Sequence, residues 1–123
     1  METRAFAPLY APTTGTSQGT LAASTTVTAS AAAAASTQFS GGAYSSGFCQ
    51  IQIANTTNQW AYCNFGNLNV AAVTAATVAT GYPVAPGTVV VVSVASEVNG
   101  ASVILGAAPG AATAVIFTRG EGL

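Results

Sequence analysis

Histidine, lysine and aspartate are missing from this sequence, and only 4% of its 123 residues are charged. Acid–base and nucleophilic catalysis need a proton acceptor beside the reacting group, and three glutamates are the only carboxylates that could serve. Metal sites need several His, Cys, Asp or Glu ligands close together, and the sequence does not offer them. We therefore expect no enzyme, no bound metal and no cofactor.

Charge of either sign is scarce, and the five charged residues sum to a net charge of −1. The two arginines, Arg4 and Arg119, lie near opposite ends of the chain and cannot form the basic stripe that binds phosphates. A nucleic-acid partner is therefore not expected. A net charge near zero also gives little repulsion between copies, which favours a subunit of a homo-oligomer.

Long apolar runs are missing as well. The alanines at 31–35 and the valines at 89–92 fall far short of the roughly 18 apolar residues of a membrane span. The first residues do not show the basic segment and apolar core of a secretion signal. We expect no membrane partner, and synthesis in a cytoplasm.

Cysteine is sparse, with only Cys49 and Cys63. Two cysteines are too few for a fold held by disulfides, and free cysteines are commonly small buried apolar residues. That is the interpretation we favour here. The alternative is a disulfide between them, which requires that the two segments face each other across a hairpin.

Short β-segments with turn residues between them fill the chain after residue 18. The expected strands lie within 19–29, 30–39 after an alanine-rich turn, 48–54, 59–65, 67–80 together with a loop, 88–94, 101–105 and 112–118, and residues 82–85 are expected to be extended. Hairpins are expected around 55–58 and at Asn99–Gly100, and a type II turn at Pro86–Gly87.

Two strands invite closer predictions. The run 88–94 is almost entirely β-branched, which is typical of a strand covered on both faces, so we expect it at the centre of the core. In 59–65, either Trp60 and Tyr62 or Ala61, Cys63 and Phe65 face inward, and the register is open. We expect Trp60 and Tyr62 in the core.

The predicted architecture is all-β. It is a single antiparallel β-sandwich of jelly-roll-like topology over residues 19–123, preceded by an extended N-terminal arm at 1–18. The arm contains two prolines and the apolar residues Phe6, Leu9 and Tyr10. These side chains either fold back over the core or pack on a neighbouring subunit.

Several short motifs follow one another along residues 48–123. A strand ends at Asn55, a second ends in Asn64-Phe65-Gly66, an extended segment covers 82–88, and the last strand closes with Thr-Arg-Gly-Glu-Gly at 118–122. In this order the motifs resemble those of the capsid decoration, or cement, proteins of tailed bacteriophages. The terminal motif is the most distinctive, whereas the arm and the alanine-rich segment are not matched.

The resemblance implies a virion protein on the outer capsid surface. Such proteins are β-sandwiches, often trimeric, that sit at local symmetry axes and bridge neighbouring copies of the major capsid protein. The charged pair Arg119 and Glu121 is then either a solvated tail or a contact with a neighbouring subunit. The candidate interface residues are Arg4, Phe6, Leu9, Tyr10, Arg119, Glu121 and Leu123.

The alternative is a surface-recognition module, such as a head-fibre, tail or carbohydrate-binding β-sandwich. In that case aromatic side chains would form stacking platforms, and the candidates are Tyr44, Trp60, Tyr62 and Tyr82. These aromatics are scattered along the sequence, which favours the decoration protein.

Overall fold

A computed structural model describes residues 7–8, 24–39, 48–95 and 97–121, which form nine strands and, within those ranges, no helix. The strands are β1 (Ala7–Pro8), β2 (Ser24–Thr28), β3 (Ala35–Gln38), β4 (Phe48–Asn55), β5 (Ala61–Gly66), β6 (Tyr82–Val84), β7 (Val89–Ala95), β8 (Gly100–Leu105) and β9 (Ala114–Glu121).

The strands form two antiparallel sheets. The first has the order β2-β9-β4-β7, with the short β1 pairing β9 beyond the end of β2. The second has the order β3-β8-β5-β6. From β2 onward, consecutive strands lie in alternate sheets except for β5 and β6, which are neighbours. The predicted all-β antiparallel sandwich is confirmed.

The core lies between the sheets because alternate side chains of each strand point inward. Ile51, Ile53 and Phe117 from the first sheet meet Val103 and Leu105 from the second, and each is at most 1% exposed. Phe117 is the aromatic centre. Its ring centroid lies 5.7 Å from that of Phe39 and 6.2 Å from that of Phe65, the latter edge to face.

Several local predictions are confirmed. In β2, Val27 is buried between exposed Thr26 and Thr28, as the alternation requires. The alanine-rich segment turns before β3. Gly87 has a φ of 66°, which fits residue i+2 of a type II turn, where glycine is favoured.

Both predicted hairpins are wrong. β4 pairs with β7 and β9, whereas β5 pairs with β6 and β8, so the chain crosses from one sheet to the other between Asn55 and Ala61. The same holds at Asn99–Gly100, between β7 and β8. The Asn99 backbone is used elsewhere: its N–H donates to Gly66 O at 3.0 Å and its carbonyl accepts from Phe39 N at 2.8 Å.

The crossing after β4 decides which side of β5 faces inward. Ala61 and Cys63 are buried, and Phe65 packs on the core. Trp60 is 48% exposed, so its expected core position is wrong. Tyr62 is only partly buried and shares its outward side.

The predicted position of the valine-rich strand is also wrong. β7 is an edge strand, not the centre of the core. Val90, Val92 and Val94 pack against the core, while Val89 and Val91 point outward and are 56% and 43% exposed. β-Branched residues are favoured in both central and edge strands. Their number in β7 therefore does not indicate whether the outer face of this strand is covered.

Residues 67–80, predicted as strand and loop, contain turns and no strand. This segment lies on the outer face of the second sheet. The Asn64 amide donates to Thr74 O at 3.2 Å, and Ala76 N–H donates to Ser102 Oγ at 3.0 Å. Some backbone groups of this segment therefore form hydrogen bonds with side chains instead of with a neighbouring strand.

Candidate interaction surface

Within the described part of the chain there is no pocket, and no group of three or more His, Cys, Asp or Glu side chains that could hold a metal ion. No helix in the described residues is long and apolar enough to cross a membrane. What these ranges do present is exposed apolar surface on a β scaffold, and this surface is the candidate site.

Most predicted interface residues fall outside the described residues: Arg4, Phe6, Leu9, Tyr10 and Leu123. Glu121 is the last residue of β9 and pairs with Ala7, within the predicted arm. The remainder of the arm, and the boundary at residue 18, also lie outside the described ranges.

Arg119 is not part of a solvated tail. It lies within β9 opposite Ile51 of β4, and its residue surface is 8% exposed. The chain therefore continues as a strand as far as Glu121, within the motif that carries the resemblance. The predicted contact of Arg119 with a neighbouring subunit stays a prediction.

The large apolar residues that the described part exposes are few. They are Trp60, Val70, Val78, Tyr82, Val89 and Val91, each more than 40% exposed. Val89 and Val91 stand on one regular strand, followed by exposed Ser93 and Ala95. We name these four outward residues of β7, with the free backbone side of the strand, the β7 edge surface.

Among the described strands, only β4 pairs with the backbone of β7. Asn55 N–H donates to Thr88 O at 2.9 Å, and Ala54 lies opposite Val89. Because hydrogen-bonded and non-bonded pairs alternate in an antiparallel ladder, Val90, Val92 and Val94 direct their N–H and C=O groups to β4. Val89, Val91 and Ser93 direct theirs away from β4, where no strand of the described chain pairs with them.

A buried amide positions the start of β7. Asn55 Nδ2 lies 3.1 Å from the Val84 carbonyl oxygen and 3.2 Å from that of Ala85, just before the turn that leads into β7. The Thr57 hydroxyl donates to Asn55 Oδ1 at 2.7 Å. The Asn55 backbone N–H bonds to Thr88, and the Asn55 side chain bonds to Val84 and Ala85. Asn55 therefore fixes both ends of the 85–88 turn.

The aromatic candidates do not share one face. Trp60 and Tyr62 lie on the outward side of β5, where the carbonyl of Trp60 accepts from Gly106 N–H at 2.9 Å. Tyr82 lies opposite Cys63, and residues opposite each other in a sheet point to the same face. Because Cys63 points inward, Tyr82 lies on the inner face of the second sheet, whereas Trp60 and Tyr62 lie on the outer face. Tyr44 lies outside the described residues. A platform that combines Trp60 and Tyr82 is therefore not present.

Sequence reasoning missed the β7 edge surface because it placed this strand in the centre of the core. The available signal was weak: Ser93 is the only polar residue between Val89 and Val94, and it belongs to the outward set. Whether a strand lies at the edge or in the centre of a sheet depends on pairing with distant segments, and a local sequence pattern does not encode that pairing.

Comparisons with protein-family models, with curated proteins and with solved structures found no match to this chain.

Proposed function

We propose that the protein is a structural virion protein, a decoration subunit that binds the outer surface of a phage head. In this role it bridges neighbouring copies of the major capsid protein and stabilises the shell. The observation that carries the proposal is the uncharged β7 edge surface on a sandwich whose described part holds no pocket. The motif order of residues 48–123 supports it.

The topology that we infer is a jelly roll. Two four-strand rows in the orders β2-β9-β4-β7 and β3-β8-β5-β6 support it, because interlocked Greek keys place consecutive strands in alternate sheets in this way. The strands at the two ends of this topology, β2 and β9, are then neighbours in the first sheet. A compact scaffold of this kind suits a subunit that contacts several partners at once.

The physical chemistry fits a cement subunit. Binding through uncharged residues avoids the desolvation cost that ion pairs meet when they are buried. Small Ala, Thr and Ser side chains lose little rotamer entropy when a contact fixes them. The subunits would act as homo-oligomers, and the resemblance implies trimers. When many copies bind one shell, their weak contacts add up to strong overall attachment.

A surface-recognition module is the second candidate, and the exposure of Trp60 favours it. A half-exposed tryptophan can stack on a sugar ring or on a partner side chain. On this account Trp60 carries the binding, and the β7 edge surface does not.

The experiment is co-sedimentation of the purified protein with phage capsids that lack it. The decoration role predicts saturable binding at a fixed ratio to the major capsid protein. Val89→Ser/Val91→Ser should weaken that binding, while Val78→Ser, at a similarly exposed valine outside β7, serves as the matched control. No sedimentation with capsids, together with retention on a glycan or host surface that Trp60→Ala abolishes, would replace the proposal by the second candidate.

A further inference from the structure

Within the described residues, the β7 edge lacks the devices that normally keep exposed strands from pairing. Edge strands are usually short, or they carry charges, prolines or bulges. β7 has seven residues, Val-Val-Val-Val-Ser-Val-Ala, with none of these. By contrast β6, the edge of the second sheet at the same end of the sandwich, has three residues and contains Pro83.

We propose that β7 pairs antiparallel with β7 of a second copy of this chain, about a two-fold axis at Val92. The inference does not rest on the capsid role, and it uses the backbone edge of β7. The side chains of Val89 and Val91 stay on the outer face of the joined sheet, where a capsid contact still reaches them. The proposed contact joins copies in pairs, so it is distinct from any three-fold contact within a trimer.

The register follows from the backbone directions. Centring the axis on Val92 brings all seven residues of each strand into the pairing, whereas a shifted centre leaves residues at the ends unpaired. The N–H and C=O groups of Val91 then face those of Ser93 of the second copy, and Val89 faces Ala95. These are the residues whose backbone groups point away from β4.

The side chains are self-complementary in this register. On the outer face each exposed valine lies beside a small residue of the other copy, Val89 by Ala95 and Val91 by Ser93. On the inner face Val90 meets Val94, and Val92 meets itself. Cross-strand pairs of β-branched residues stabilise sheets.

Charge does not oppose the pairing. β7 is uncharged, and the nearest charged residue, Glu97, follows the strand. In the proposed register Glu97 falls beside the Pro86–Gly87 turn of the other copy, so the two Glu97 carboxylates lie at opposite ends of the contact. Like-charge repulsion, which commonly excludes self-pairing, is absent here.

The test is disulfide trapping with a single introduced cysteine. Val92→Cys in a Cys49→Ala background should give a covalent dimer on a non-reducing denaturing gel after mild oxidation. At a non-hydrogen-bonded pair the two Cα atoms lie about 4.5 Å apart, within the range of a disulfide. Cys63 can stay, because its residue is 1% exposed.

Val90→Cys in the same background is the matched control, since it lies on the same strand and the same face. In the proposed register the two introduced cysteines would be roughly 13 Å apart, too far for a bridge. Equal cross-linking at both positions, or none at Val92, would overturn the proposal. In the second outcome the edge is free to take a strand of another protein.

A second measurement uses the outward positions, which should tolerate substitution. Val91→Glu/Ser93→Glu places like charges opposite each other and should weaken dimerisation at least about tenfold in sedimentation analysis. Val91→Lys/Ser93→Glu places opposite charges together across the axis and should dimerise more tightly than the double glutamate variant. Equal dimerisation of both variants would contradict this register.

Discussion

The side-chain amide of Asn55 donates to the backbone carbonyl of Val84, with the two atoms 3.1 Å apart in the interior. Asn55 ends a strand of the first sheet and Val84 ends a strand of the second, so this bond connects the two sheets at the end where β7 begins. Asn55 is 2% exposed, and Thr57 donates both its N–H and its hydroxyl to Asn55 Oδ1.

Replacing Asn55 should therefore destabilise the fold strongly. Asn55→Ala leaves the buried N–H of Thr57 without its acceptor and removes the bonds that the amide donates to the carbonyls of Gln59, Val84 and Ala85. We expect a loss on the order of 3 kcal/mol in the free energy of unfolding. Urea denaturation measures it. Asn58→Ala, which removes only an exposed bond to Gly110 N–H, should cost less than about 1 kcal/mol. Equal costs would contradict the importance of the buried amide.

The buried thiol of Cys63 should make stability depend on alkaline pH. Burial disfavours the thiolate and raises the pKa of Cys63 from 9.0 to about 12. Above pH 9 the unfolded chain releases this proton while the folded chain keeps it. The stabilisation is complete below pH 9 and is lost progressively toward pH 12, by up to roughly 4 kcal/mol.

Comparison with Cys63→Ala isolates this effect from the tyrosines, which both proteins share. The difference in unfolding free energy between the two proteins should shrink as pH rises from 9 to 11. The folded parent should also leave Cys63 unmodified by iodoacetamide at pH 8, because the reactive form is the thiolate. A pH-independent difference would show that the thiol is not held in its neutral form.

Gly81 allows the 67–81 segment to approach β5 closely. A Cβ atom at this position would lie 2.7 Å from Tyr62 Cβ and 2.9 Å from the Tyr62 carbonyl carbon, so the backbone would have to move. We expect Gly81→Ala to cost about 1–3 kcal/mol. Gly106→Ala is the control near the same tyrosine, since its nearest neighbour would be 3.4 Å away, an ordinary contact. Thermal unfolding of both variants checks the difference.

If the protein is a decoration subunit, its attachment to capsids should respond weakly to salt. The chain has five charged residues, and screening can weaken only contacts that charges make. Binding to capsids measured at low and at high ionic strength should therefore differ by clearly less than tenfold. A tenfold or larger loss would place Arg4, Arg119 or the glutamates at the centre of the contact.

The sequence was most informative where structure is local. The alternation around Val27, Ile51 and Ile53 and the turn at Pro86–Gly87 predict the observed strands and turn. It failed where partners are distant in sequence. The pairing of β4 with β7 and β9, rather than with β5, depends on residues such as Asn55 whose bonds reach about thirty positions along the chain. Strand order, and with it the exposed edge of β7, follows from such contacts.

The most direct test of the capsid role is cryo-electron microscopy of capsids that lack the protein, imaged before and after adding it. The decoration role predicts new, regular density at local symmetry axes, into which the sandwich fits and which touches at least two copies of the major capsid protein. Maps that are identical with and without the protein, at concentrations well above those present in an infected cell, would contradict it.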